Sequence, residues 1–358
     1  MSQVSTATSP ANAAPPAGVP YIVVQAPPPP KGGGILRRLL GGMLLSVFVL
    51  SLLANFYLAG IVGALTSGPH ESLHSKGDEK QRIVIIPIEG IITGATEEFA
   101  DSAFDSIDAR KDNLPRAVIL RVDSPGGHVG PSDRILHRIE KFKKDHPAIP
   151  VVGSFGSVAA SGGYYVSAAC DHIVAEPTCT TGSIGVILTA MTYGKLMEKI
   201  GVDAKVIVAD GSPKKDVANN AYRPLTDEDE AKLKQILNSA YEQFVAVVVR
   251  GRAKALLTEA QVRALANGDI FSARQAVVNK LIDGEGYLDA AIDQAKTLAK
   301  ITGDPLVTRI EPPRGFLTQF MGASASAASP LPKSGEELRN WLREATLPRL
   351  EYLWEPGR

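Results

Sequence analysis

The chain has 358 residues, 44% of them hydrophobic, with 38 Lys+Arg against 38 Asp+Glu. That is enough apolar content for a sizeable core, at a length somewhat above that of a single ordinary domain. Balanced charge without a basic or acidic tail leaves no footprint for nucleic acid, and two cysteines make neither a disulfide framework nor a zinc pattern.

Residues 1–34 are rich in Ala, Pro, Ser and Gly, with a run at Pro27–Pro30, and are predicted to be a disordered tail. Arg37 and Arg38 precede Leu39–Leu65, which contains no charged residue. A span needs only ~20 apolar residues, and a signal peptide has a shorter core nearer the terminus, so residues 35–66 are predicted to be an uncleaved anchor. Positive charge before the span places the tail in the cytoplasm and the remainder outside. Asn55 is its one strongly polar side chain.

From Arg82 onward, short apolar runs alternate with helical spacings. Strands are predicted at Ile83–Ile86, Ala117–Val122, Val151–Val152, His172–Ala175, Ala204–Val208 and Leu306–Ile310. Helices are predicted at Ser132–Lys144, Tyr164–Ala169 and Tyr193–Ile200, then from a capping box at Thr226–Asp229 to Arg250, and at Ser272–Leu281 and Tyr287–Ala299. This alternation argues for an α/β fold with parallel sheets and βαβ units. A domain over 67–321 is then followed, over 322–358, by a linker and a C-terminal amphipathic helix, Glu336–Tyr352.

The stretch Val151–Val166, VVGSFGSVAASGGYYV, carries the chemistry. Ser161 falls at the first turn of a predicted helix, where backbone N–H groups are unpaired. Gly162 and Gly163 leave room for another chain against that backbone. A hydroxyl beside free N–H groups suits an acyl-transfer nucleophile; the bland alternative is a small-residue turn where a helix packs on a sheet. Ser154 and Ser157 are the next serines in line. No Ser-His-Asp spacing is recognisable, and the six histidines are too scattered for a metal site, so no metal or cofactor is expected. His128, after the Gly126-Gly127 turn, is one candidate base. Lys214 and Lys215 are the other, provided that burial makes the amine neutral. Cys170 and Cys179 sit in apolar surroundings as buried thiols.

These residues resemble the serine peptidase family of signal peptide peptidase A. Ala159–Tyr165, Gly182-Ser183-Ile184-Gly185 and Asp123-Ser124-Pro125-Gly126-Gly127 carry the resemblance, with Leu257–Ile282 downstream; it covers roughly Arg82 to Ala299. The resemblance implies the crotonase-like fold shared with the Clp protease proteolytic subunit and a serine–lysine dyad within one chain. Ser161 is then the nucleophile and Lys215, in the dipeptide Lys215-Asp216, the buried general base. Gly127 and Gly162 supply the oxyanion N–H groups, and Ser183 orients the lysine. It also implies peptide substrates, including remnant signal peptides at a membrane, and a ring-like homo-oligomer. Two other readings share the fold: a crotonase-type acyl-CoA enzyme, and a non-catalytic membrane scaffold.

Overall fold

The computed structural model describes residues 34–66, 69–217, 221–312 and 350–354. The chain divides into two compact units after Ala59. The first holds most of helix α1 (Gly34–Thr66). Its segment Leu39–Leu58, 20 residues, is by length and composition long and apolar enough to cross a membrane. At 1.5 Å per residue it spans about 30 Å, the thickness of a bilayer's hydrocarbon core. Asn55 is satisfied within its own helix, donating through Nδ2 to the Ser51 carbonyl at 2.8 Å. The expected tail over residues 1–33 lies outside the described residues.

The second unit opens with β1 (His70–Ser75), β2 (Asp78–Ile92), α2 (Gly94–Asp108), β3 (Ala117–His128) and α3 (Val129–Asp145). It continues with β4 (Val151–Ala160), α4 (Gly162–Ser167), β5 (His172–Ala175), β6 (Thr180–Gly182), β7 (Ile187–Leu188) and α5 (Gly194–Lys199). Next come α6 (Asp227–Gly251), α7 (Glu259–Leu265), β8 (Ile270–Ser272), α8 (Ala273–Val278), β9 (Gly284–Glu285) and α9 (Leu288–Ala299). Strands β10 (Pro305–Glu311) and β11 (Leu350–Leu353) complete it.

The central sheet runs β1-β10-β2-β3-β4-β5-β9, and every neighbour pair from β10 to β9 is parallel. This is the α/β architecture anticipated from the alternating pattern. Successive residues face opposite ways along a strand. Val84, Ile86 and Ile88 therefore join the core beneath α2, α3, α4 and α6, while Ile83 and Ile85 meet α9 on the other side. Burial on both faces is why these strands read as unbroken apolar runs.

Three departures have physical causes. Ala204–Val208 forms no strand; it finds no partner, and Ile207 is 83% exposed. Unpaired backbone has no ladder to join. Strand β1, polar in sequence, takes shape at the sheet edge, where it pairs antiparallel with β10. The C-terminal helix expected over Glu336–Tyr352 is contradicted where it can be seen, because Leu350–Leu353 is a strand between β3 and β7. Residues 336–349 and the linker over 322–334 lie outside the described residues.

An ion pair with a buried arginine and a partly exposed aspartate ties the end of α6 to the segments around β5 and β9. Arg252, 4% exposed, donates to both Asp283 oxygens at 3.0 and 2.7 Å and to the Lys280 carbonyl at 2.9 Å. Burial pushes the Asp283 carboxyl up, but the hydrogen bonds and charge of Arg252 outweigh it and hold the group below its usual value. A depressed carboxyl stabilises the fold above the unfolded-state pKa, and that stability is lost as the pH falls through the folded value. Arg252→Ala is expected to cost about 2 kcal/mol at neutral pH by removing the charged hydrogen bonds to Asp283, which keeps the one from Ile173 N–H. It should also remove part of the wild-type loss of stability below about pH 4. Urea unfolding of the two proteins at pH 7 and pH 3 checks this; matching midpoints at pH 7 would dismiss the pair as a support.

Candidate active site

Strand β4 ends at Ala160, α4 starts at Gly162, and Ser161 makes the turn between them with φ 52° and ψ −115°. A non-glycine residue there is held by its surroundings at a cost of order 1–3 kcal/mol. The surroundings are specific. Ser161 N–H donates to the Gly182 carbonyl at 2.8 Å, and the Ser161 carbonyl accepts from Tyr165 N–H at 2.8 Å. Behind the turn, Tyr164 Oη donates to the Leu281 carbonyl at 2.8 Å and Tyr165 Oη to Asp133 at 2.6 Å. A serine on a sharp strand-to-helix turn is the arrangement of a nucleophile elbow. Ser161 itself is 1% exposed.

Parallel pairing of β4 with β6 sets Ala160 opposite Gly182. Ser161 and Ser183 are each one residue beyond that pair, so the register brings the two serines to one strand end. Ser183 also has positive φ, 49°, is 8% exposed, and donates its N–H to the Asp269 carbonyl at 2.7 Å.

The loop end of β3 closes on the same place. Gly126 has φ +100°, and a Cβ there would lie 2.6 Å from Gly162 N and 1.9 Å from the Tyr352 carbonyl oxygen. A Cβ on Gly162 would in turn lie 3.1 Å from Gly126 Cα. Gly127 turns elsewhere, its Cβ position falling 2.2 Å from the Ile92 carbonyl oxygen. Gly127 is the residue expected to supply an oxyanion N–H; Gly126 is the glycine that abuts Gly162. Its N–H donates to Ser124 Oγ at 3.1 Å. Gly162 N–H, first in its helix, has no intrahelical acceptor.

The lysine does not meet the serine within this chain. Lys215 is exposed, and no hydrogen bond or ion pair links its amine to Ser161, Ser183 or any other side chain among the described residues. The buried base and the Ser183–Lys215 contact expected from the resemblance are both absent here. The cause is local: the strand that was to carry this loop back to the sheet does not form, and residues 213–217 are successive turns. Lys214 pairs with Glu228, and Asp216 accepts from Arg223 at 3.1 Å. His128 Nε2 lies 3.9 Å from Glu351. Of the reserve serines, Ser154 accepts from Arg121 at 3.0 Å, and Arg121 also pairs with Glu176. Burial pushes both thiols, Cys170 and Cys179, up to about 12, so neither is a thiolate nucleophile at neutral pH. Among the described residues no cluster of three or more His, Cys, Asp or Glu could hold a metal ion.

Known proteins have related sequences. The family model described as peptidase family S49 matches residues 143–302. An Enterococcus faecium protein named as a signal peptide peptidase, SppA, is 33% identical over 261 residues, covering 70% of this chain and 74% of the relative. A Synechocystis protein named as a protease is 34% identical over 251 residues, covering 70% of this chain and 86% of the relative. Protease 4 of Haemophilus influenzae is 33% identical over 232 residues, 63% of this chain and 36% of the relative. With about a third of the aligned residues identical over 74% and 86% of the length of the first two relatives, the chain belongs to peptidase family S49 and is a serine-type peptidase.

Proposed function

We propose that this chain is a membrane-anchored endopeptidase in which Ser161 attacks the peptide carbonyl and Lys215 takes its proton. The observation that carries the nucleophile is the left-handed Ser161 turn, joined to Gly182 and packed against Gly126. Gly162 N–H, with Gly127 N–H from the β3 end, holds the developing oxyanion. The acyl-enzyme forms as the amine leaves, and water then releases the acid product. Ser183, beside Ser161 at the end of β6, orients the lysine amine.

A lysine acts as base only when neutral, and burial favours the neutral form. Lys215 is exposed in a single chain, so self-association is the step that would bury it. The segment leading to it supports this: Leu196, Ile200, Val206 and Ile207 are 57%, 64%, 42% and 83% exposed. Apolar side chains in that number along one segment are a liability for a lone domain and a natural interface for a homo-oligomer. The ring-like assembly of the family resemblance fits that need. The same exposure favours one second reading, a membrane scaffold of this fold without turnover.

The anchor reading rests on Leu39–Leu58 and on the positive charge before it. With residues 1–34 in the cytoplasm and the peptidase outside, the site meets membrane-derived peptides such as remnant signal peptides. The relative named for signal peptide peptidase activity supports that substrate class.

Two experiments test these assignments. In peptide hydrolysis by the assembled protein, Ser161→Ala and Lys215→Ala should each lose at least about a thousandfold in kcat/KM. Lys214→Ala should stay within about twofold, and the wild-type rate should climb with pH to a plateau. An active-site serine reagent should label wild type but not Ser161→Ala; labelling of neither sinks the peptidase mechanism and leaves the scaffold. If Lys214 is essential and Lys215 dispensable, the base is misassigned. For topology, protease added to spheroplasts should digest the domain from His70 onward and spare the N-terminal tail; a protected domain reverses the orientation.

A further inference from the structure

Strand β4 changes partners on its way to Ser161. As far as Phe155 it pairs with β5, ending with Phe155 opposite Ala175. From Val158 it pairs with β6 instead: Val158 stands opposite Thr180, Ala159 opposite Thr181 and Ala160 opposite Gly182. On the β3 side the register slips at the same place. The step from Val122 to Ser124 faces the longer step from Phe155 to Ala159, so β4 bulges between them. Main-chain groups in a bulge leave the ladder and need other partners.

Two side chains of β3 meet this bulge. Arg121 Nη1 donates to Ser154 Oγ at 3.0 Å and to the Phe155 carbonyl at 3.3 Å. Asp123 Oδ1 accepts from Val158 N–H at 3.1 Å. Residues two apart on a strand share a face, so the guanidinium holds the entry to the bulge and the carboxylate holds its exit. Gly156 makes the fit possible, because a Cβ there would lie 2.9 Å from both Cγ and Oδ2 of Asp123. Past the exit the chain is held on both sides. Thr181 Oγ1 donates to the Ala159 carbonyl at 2.6 Å, and Ser161 N–H donates to the Gly182 carbonyl at 2.8 Å.

We infer that Asp123 is a positioning residue for the nucleophile. By accepting from Val158 N–H, it fixes where β4 leaves β5 for β6, and so how far along β6 the Ser161 turn falls. This rests on Ser161 being the nucleophile. Asp123 acts through the main chain of β4 as a hydrogen-bond acceptor, a part that asparagine can also play. Without an acceptor the bulge is free to shift, and a misplacement of about 1 Å at reacting atoms can cost about a hundredfold in rate.

Peptide hydrolysis by the assembled protein tests this. Asp123→Ala should lower kcat about tenfold to a hundredfold and leave KM within about twofold. Asp123→Asn should restore kcat to within about threefold of wild type. Gly156→Ala pushes the carboxylate aside and should match Asp123→Ala, and the double variant should lose no more than either single one. On the Ser161→Ala background, hydrogen exchange over residues 158–163 should quicken with Asp123→Ala but not with Asp123→Asn. Should Asp123→Ala fail to fold, judged by circular dichroism, Gly156→Ala carries the comparison. A wild-type kcat in Asp123→Ala overturns the proposal, as does an asparagine variant as slow as the alanine one, or a loss that falls on KM. Hydrolysis that survives Ser161→Ala would instead overturn the nucleophile assignment; the exchange rates then decide by themselves whether Asp123 fixes the turn.

Discussion

The pairing of β4 with β6 is the constraint on which the site depends. One hydrogen bond, from Ser161 N–H to the Gly182 carbonyl, extends that ladder by a residue past the last strand pair. It fixes a serine in a conformation that serine alone would not choose and sets a second serine alongside. The third side is the loop end of β3, whose approach is possible because neither Gly126 nor Gly162 carries a Cβ. All three elements are neighbours in one parallel sheet, so the geometry is inherited from strand order and needs no flexible loop to assemble it.

Rigidity comes from behind. Tyr164 and Tyr165 follow the serine directly and are both fully buried, yet they brace different things. Tyr164 reaches back to the carbonyl of Leu281, beside the Arg252–Asp283 pair, while Tyr165 reaches Asp133 on α3 and stacks on Tyr352. Through Tyr165 the helix that follows Ser161 shares a ring contact with β11.

Much of this is legible before any coordinates. Ile83–Ile86, Ala117–Val122 and His172–Ala175 are strands as read, because a sheet buried on both faces leaves continuous apolar runs. The capping box at Thr226 is also as read, with Asp229 N–H donating to Thr226 Oγ1 at 3.2 Å. Ser161 is legible because strand, small residues and aromatic helix sit in strict succession. The base is not, because a lysine's burial is set by what packs over it and no local pattern encodes that. Helix α2 is passed over because its buried face contains Ala100 and Ala103 as well as Phe104 and Ile107, a weak apolar stripe. Strand β11 is hidden for a different reason: its conformation comes from the two edges that receive it. The residues of β11 themselves follow a stretch whose charge pattern suits a helix.

The left-handed conformation of Ser161 also has an evolutionary consequence. Glycine reaches such backbone angles without a Cβ clash, at a backbone-entropy cost of about 0.5–1 kcal/mol, less than the strain commonly stored at such positions. Ser161→Gly should therefore produce a chain at least as stable as its parent and, under the proposed mechanism, inert. Selection for stability alone would carry this position away from serine. Its presence in a fold that would be more comfortable without it points to selection for what the hydroxyl does.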